Sequence, residues 1–308
     1  MLVLLVVLLS CAGQALASPR AQIAASPLSV ARESAEAARV ERYWTPARMR
    51  SARPLDLAMD SRGRVVPSVR PQLAGATASF FAVPTPEVPP FSVNGRIFVR
   101  QGKVNGYCSG TAINSPTRQL VLTAGHCVNS GPEEGSRRST WSKYLQFVPG
   151  FNGGVAPFGA FIARGNEIYA PKQWTKHGNP DFDLGAFLTR PNTEGVNVAD
   201  AVGGGATVVT DLSRNQEFQT FGYPGERTHM QSCRSPYIGD DTLSYPLPGP
   251  PTLAIECHWA QGASGGAWLI GDGTQINGLT TYLHLDDRTR SYGPYFSAAT
   301  VGKLVRGL

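Results

Sequence analysis

This chain of 308 residues is poor in charge, in cysteine and in long apolar runs, and each scarcity removes a class of protein. Asp, Glu, Lys and Arg make up only 16% of it. No basic stripe with interleaved aromatics occurs, so a nucleic-acid partner has little support. The net charge is +6, unevenly spread: residues 1–90 hold ten Arg, no Lys and six acidic residues, and most of the excess lies there. The apolar run at residues 2–9 (LVLLVVLL) is too short to span a bilayer, so stable membrane insertion is not expected. There is no internal repeat and no cofactor motif. The five cysteines include no C-x-x-C pair, and Cys257 with His258 as adjacent ligands makes a poor zinc site.

Glycine (34) and proline (24) are plentiful. With low charge, they suit short strands joined by many turns, and the length suffices for two medium cores. From residue 95 the pattern is strand and turn. GRIFVRQ, YCSGTAI, QLVLTA, KYLQFVP, FGAFIAR and DLGAFL form a first set. ATVVT, EFQTFGY, LAIECHW, GAWLI and QINGLTTYL form a second, and Ser297 to Arg306 reads as a closing helix. Strands at this spacing predict an all-β barrel architecture.

The first 90 residues read differently. The apolar run and ALA at 15–17 form a signal peptide (1–17) cut before Ser18, although its start lacks Lys and Arg. That predicts a secreted protein; lipidation at Cys11 is the alternative. Once Cys11 leaves, four cysteines remain, an even number that favours disulfides in an exported chain, with three pairings open. Residues 18–90 are rich in Ala, Arg, Ser and Pro and read as a propeptide. Val30 to Tyr43 predicts a helix with Ser29 as N-cap, and Thr45-Pro46 starts another turn. VPTPEVPP (83–90) reads as an extended linker, which predicts a new N-terminus between about residues 75 and 95.

The segments LTAGHC (122–127), DFDLGAFL (181–188) and GASGGAW (262–268) carry His126, an aspartate and Ser264 in that order. A serine hydroxyl is a poor nucleophile at neutral pH and needs a base and an orienting carboxylate. On a strand, alternation would put Asp181 and Asp183 on the same face. GASGG also fits the G-x-S-x-G elbow of α/β-hydrolases, where Asp and His follow the serine. The chain after Ser264 is too short for the remaining strand–helix units, so that fold is rejected.

With YCSGTAI (107–113), FVPGFNGG (147–154), APFGAF (156–161) and FGYPG (221–225), these segments resemble the chymotrypsin-like serine peptidases. The V8-like, or glutamyl-endopeptidase-like, branch is the nearer one. YWTPARMRSARPL (43–55) resembles leader segments of secreted bacterial peptidases of this type. The resemblance implies a domain at 91–308: two antiparallel six-stranded β-barrels, about 91–195 and 196–308, with the active site in the cleft between them. It implies Ser264 as nucleophile, His126 as general base, Asp183 as its orienting carboxylate, and Gly262 and Ser264 N–H groups as oxyanion hole. Asp183 is preferred over Asp181 because the apolar stretch after it fits the family. The disulfides implied are Cys108–Cys127 and Cys233–Cys257. His177, His229 and His284 are expected on the surface or in loops.

Two departures are visible. Ala263 precedes the nucleophile where many such enzymes carry an aspartate that pairs with a new N-terminus. Gly278-Leu279-Thr280-Thr281 lacks the histidine of the family's glutamate readers. The expected side-chain pocket therefore uses His258, Thr280 and Thr281, with Glu or small residues preferred at the cleaved position and Arg or Lys disfavoured. The function expected is a secreted serine endopeptidase acting as a monomer on polypeptides, released from its own propeptide, without cofactor or metal. A catalytically silent binding protein on the same fold is the alternative.

Overall fold

The computed structural model describes residues 23–25, 33–60, 64–67, 80–132, 136, 138–225, 228–241, 248–257, 259, 261–287 and 289–308. The signal peptide, Cys11, Ser29 and His258 lie outside the described residues.

Residues before 91 contribute strands β1 (Ile23–Ala25), β2 (Arg53–Pro54), β3 (Leu57–Met59), β4 (Val65–Pro67) and β5 (Phe81–Ala82). They also form helices α1 (Glu33–Tyr43) and α2 (Pro46–Ser51). Thr45 caps α2, its hydroxyl accepting from the Arg48 N–H, and Pro46 fills the first helical position, where a missing N–H costs nothing.

The first barrel is β6 (Asn94–Gln101), β7 (Val104–Ala112), β8 (Leu120–Thr123), β9 (Lys143–Pro149), β10 (Phe161–Pro171) and β11 (Gly185–Thr189). Antiparallel pairings run β9–β6–β7–β8–β11–β10 and close through β10–β9. Every residue of β8 and β11 is buried, which is why LVLT and GAFLT read as unbroken small and apolar runs. Two short helices, α3 (Gly125–Val128) and α4 (Lys172–His177), follow β8 and β10.

Helix α5 (Val198–Ala201) leads to the second sheet. Its strands are β12 (Thr207–Val208), β13 (Glu217–Gly222), β14 (Gln231–Asp240), β15 (Leu253–Ile255), β16 (Ala267–Ile270), β17 (Gln275–Leu279), β18 (Tyr282–His284) and β19 (Ser291–Gly293). Here the structure corrects the expectation of a second six-stranded antiparallel barrel. The described residues form an eleven-stranded sheet that does not close, running β12-β17-β16-β13-β14-β15-β19-β18-β3-β4 with β5 on β14. The physical reason is an edge. β18 presents unpaired backbone groups, and leader strand β3 takes them in parallel register, Tyr282 opposite Leu57 and His284 opposite Met59. Pairing is also parallel for β2–β7 and β12–β17. The closing helix is α6 (Val301–Val305), shorter than expected, with Val301 and Leu304 buried.

The leader is packed onto the domain. Val40 and Trp44 are 2% and 4% exposed, Trp44 Nε1 donates to the Tyr144 carbonyl at 2.6 Å, and Tyr43 stacks on Tyr144 at 4.2 Å. Residues 83–90 are also held: Val83 is buried and its N–H donates to the Met230 carbonyl. No helix among the described residues is long and apolar enough to cross a membrane.

Both implied disulfides are present, Cys108–Cys127 and Cys233–Cys257, spanning 19 and 24 residues. Replacing Cys233 and Cys257 together by Ala should lower unfolding stability by about 3 kcal/mol through loss of loop closure. Thermal denaturation compared with the parent chain measures this. An unchanged midpoint would mean the bond carries no stability.

Candidate active site

His126 sits on α3, which the buried strand β8 delivers to the cleft. Gly125 is required beside it: a Cβ there would lie 2.7 Å from Asp183 Oδ1 and 2.8 Å from Trp174 Cδ1. Asp183 leaves a 3₁₀ turn (Pro180–Phe182) that Asn179 caps through the Asp181 N–H. One Asp183 oxygen accepts from the His126 backbone N–H at 2.7 Å, and the other meets His126 Nδ1 at 2.8 Å. The carboxylate thus fixes both the helix turn and the ring. The Trp174 ring stands edge-on to the imidazole at 6.3 Å, and its Nε1 donates to the Asn129 carbonyl.

Asp181 points elsewhere. The residues occupy a 3₁₀ turn and its end, so strand alternation does not apply and the two carboxylates part. Burial and the nearby Asp241, opposed by Arg214, push the Asp181 carboxyl up to about 6.

Ser264 lies in the loop between β15 and β16. Gly265 follows with φ +83°, where any Cβ would strike the Thr123 hydroxyl and the Ser109 carbonyl. Ser109 ties this loop to the first barrel: its N–H donates to the Ser264 carbonyl at 2.8 Å and its hydroxyl to the Gly262 carbonyl at 2.9 Å. Nothing in YCSGTAI singles this serine out. Only the meeting of β7 with the loop reveals its role.

The site is occupied by the chain's own N-terminal segment. Ser264 Oγ donates to Asp56 Oδ1 at 2.7 Å, and the Gly262 N–H donates to Asp56 Oδ2 at 2.6 Å. The Ser264 backbone N–H also favours the ionised form of this carboxylate. His126 Nε2 faces the Leu55 carbonyl at 3.1 Å. Both ring nitrogens therefore face acceptors, an arrangement the imidazolium satisfies. Burial pulls the His126 pKa down, but Asp183, Asp56 and the Leu55 carbonyl outweigh it and the net shift is upward. Burial pushes the Asp56 carboxyl up to about 6 against the opposing pull of Ser264, His126 and Gly262. The sequence held one signal for this residue. Asp56 is the sole acid from residue 43 to 59, set between two leucines in an arginine-rich stretch.

Thr280 and Thr281 line a small cavity beside Ser264 with Trp259, Ala263, Tyr282 and Ser291. Among the described lining residues the only charged one is the leader's Asp56. Glu256 is exposed instead. His177 and His229 are exposed as expected, but His284 is a correction. It is buried at 6% exposure, bonded to Asp241 at 3.1 Å and packed edge-on to Tyr292, because β3 covers its strand. Cys108, His126 and Cys127 converge closely enough to suggest a metal cluster, but the disulfide engages both sulfurs.

No family model and no curated protein matches the chain. Solved structures do. The protease Anisep from Arthrobacter nicotinovorans is 28% identical over 71% of this chain and 94% of its own, with a TM-score of 0.61. A thermostable serine protease, AL20, from an extremophilic microorganism is 23% identical over 69% and 95%, also at 0.61. A Glu endopeptidase is 21% identical over 73% and 94%, at 0.57. The structural neighbours of this chain are thus serine proteases of the chymotrypsin fold.

Proposed function

We propose that the chain is a secreted serine endopeptidase, produced as a zymogen, that hydrolyses polypeptides through Ser264, His126 and Asp183. The observation that carries this reading is convergence. His126, held by Asp183 through two contacts, meets the Leu55 carbonyl, and the Ser264 hydroxyl and the Gly262 N–H meet the carboxylate of the next residue, Asp56. Donors that hold a carboxylate this way suit the oxyanion formed when Ser264 attacks a peptide carbonyl. His126 would take the serine proton and pass it to the leaving amine, and Asp183 would hold the tautomer and stabilise the imidazolium. The acyl-enzyme would then be hydrolysed by water through the same base. The likeness to serine proteases supports the reading. Hydrolysis of denatured protein by leader-free material, abolished by a serine-reactive fluorophosphonate, is the test. Leader-free material that cleaves no peptide bond would overturn it.

The new N-terminus should fall between Asp60 and Phe80. Phe80 packs on the Trp259 ring at 4.7 Å and β5 pairs with β14, so these residues behave as part of the finished domain. N-terminal sequencing of active material checks this. A start beyond Ala82 would show that β5 leaves with the leader.

A further inference from the structure

We infer that Leu55-Asp56-Leu57 is a built-in inhibitor whose carboxylate stopper, Asp56, fills the oxyanion hole; the inference rests on the peptidase reading and specifies how that site is regulated. Three observations carry it. Asp56 engages Ser264 Oγ through one carboxylate oxygen and the Gly262 N–H through the other. The preceding carbonyl, that of Leu55, occupies His126 Nε2, so the base is engaged as well. Strands β2 and β3 clamp the segment from both sides, on β7 and on β18. What Ser264 meets is the side-chain carboxyl group of Asp56, which has no amine leaving group to expel. The segment therefore blocks without being cut there.

Docking this carboxylate takes up protons. Burial pushes the docked Asp56 carboxyl up to about 6, and the neighbouring His126, itself held by Asp183, is also shifted upward. A raised pKa in the docked state means that the favourable contribution is complete at low pH and is lost as pH rises through about 6. The leader should hold most tightly in acid and loosen toward neutrality.

The test uses the uncut chain. Fluorophosphonate labelling of Ser264 should be slow in the parent and roughly 10–100-fold faster in Asp56→Ala, the worth of charge-assisted hydrogen bonds. Asp56→Asn, which keeps the size, should fall between. A synthetic peptide of residues 43–60 should also inhibit the processed enzyme competitively and survive intact, more weakly at pH 8 than at pH 5. Its Asp56→Ala version should inhibit at least about tenfold less. This arm needs no variant protein to fold. Processed enzyme that cleaves nothing would refute the peptidase reading. Active enzyme inhibited equally by both peptides, or cleaving the peptide between Leu55 and Leu57, would overturn the stopper.

A separate observation points to a subsite. On the β7 flank of the cleft lies a cavity of about 960 Å³, lined on the domain side by Arg96, Tyr107, Phe151, Thr228 and Gln261. Arg96 is only 5% exposed, and its Nε has no hydrogen-bond partner. It takes part in none of the ion pairs among the described residues. Its guanidinium lies 3.7 Å over the Tyr107 ring, with Phe98 and Phe151 also near. Burial lowers its pKa, and the groups that oppose this are the phenols of Tyr107 and Tyr223. A buried cation without a carboxylate is costly, and among the described residues that line the cavity none is Asp or Glu. Arg50 and Arg53 reach the same cavity, so the described residues of the docked segment bring no opposite charge to it.

We propose that Arg96 receives an acidic side chain of the polypeptide substrate on this flank. Peptide pairs carrying Glu or Gln at each of the four positions either side of the scissile bond test it. With the processed enzyme, Glu should raise kcat/KM about tenfold at one or two positions on one side only. Arg96→Gln should bring that ratio to about one, and Arg96→Lys should restore part of it. The wild-type comparison stands even if a variant fails to fold. Peptide cleavage with no Glu-over-Gln preference at any position, or a preference that Arg96→Gln leaves unchanged, would overturn the subsite.

Discussion

Ser264→Ala, in enzyme freed of its leader, should lower turnover by about 10⁴–10⁶-fold and leave the fold intact. Among the described residues the serine hydroxyl hydrogen-bonds Asp56 and the Thr281 carbonyl, so its loss removes one small polar group. His126→Ala should cost about as much, because base and nucleophile act as one unit. The residual rate would come from the N–H groups of Gly262 and Ser264, which neither change removes. Full hydrolysis by Ser264→Ala, measured on a chromogenic peptide, would sink the mechanism.

The second large effect separates two neighbouring carboxylates. Asp183→Asn should lower turnover about 10⁴-fold, because an amide can hold the ring in the wrong tautomer. Asp183 contacts both Nδ1 and the backbone N–H of His126, and the Gly125 surface fits against it. Asp181→Asn removes a carboxylate that faces Asp241 and whose pKa burial has already raised to about 6. Near-wild-type turnover is expected for it. Steady-state kinetics on both variants decides. If Asp181→Asn were the damaging change, the orienting role would belong to that residue.

The sequence was informative where local chemistry repeats. LTAGHC and GASGG are short because a buried strand must end in a tight turn, and glycines mark where a Cβ would collide with Asp183 or Ser109. The disulfides followed from the same resemblance. Two things could not be read from the chain. Asp181 and Asp183 were expected on one strand face, but Asn179 and Pro180 set a 3₁₀ turn that parts them. The second sheet was expected to be a barrel, and the edge of β18 instead pairs with residues more than two hundred positions earlier. Such long-range pairing leaves no local pattern. The leader segment that resembles other leaders stops at Leu55, one residue short of the carboxylate that meets Ser264. His284 looked like a loop histidine because nothing near it in sequence announces β3 or Asp241.

Ser264 should act as a nucleophile activated by His126 and Asp183 once the N-terminal segment departs. The most direct measurement is mass mapping of a fluorophosphonate adduct on processed enzyme, with the His126→Ala variant alongside. One adduct is expected, on the peptide containing Ser264, formed rapidly in the parent and barely in His126→Ala. An unlabelled Ser264 in leader-free, folded protein, or labelling that His126→Ala leaves unchanged, would contradict it.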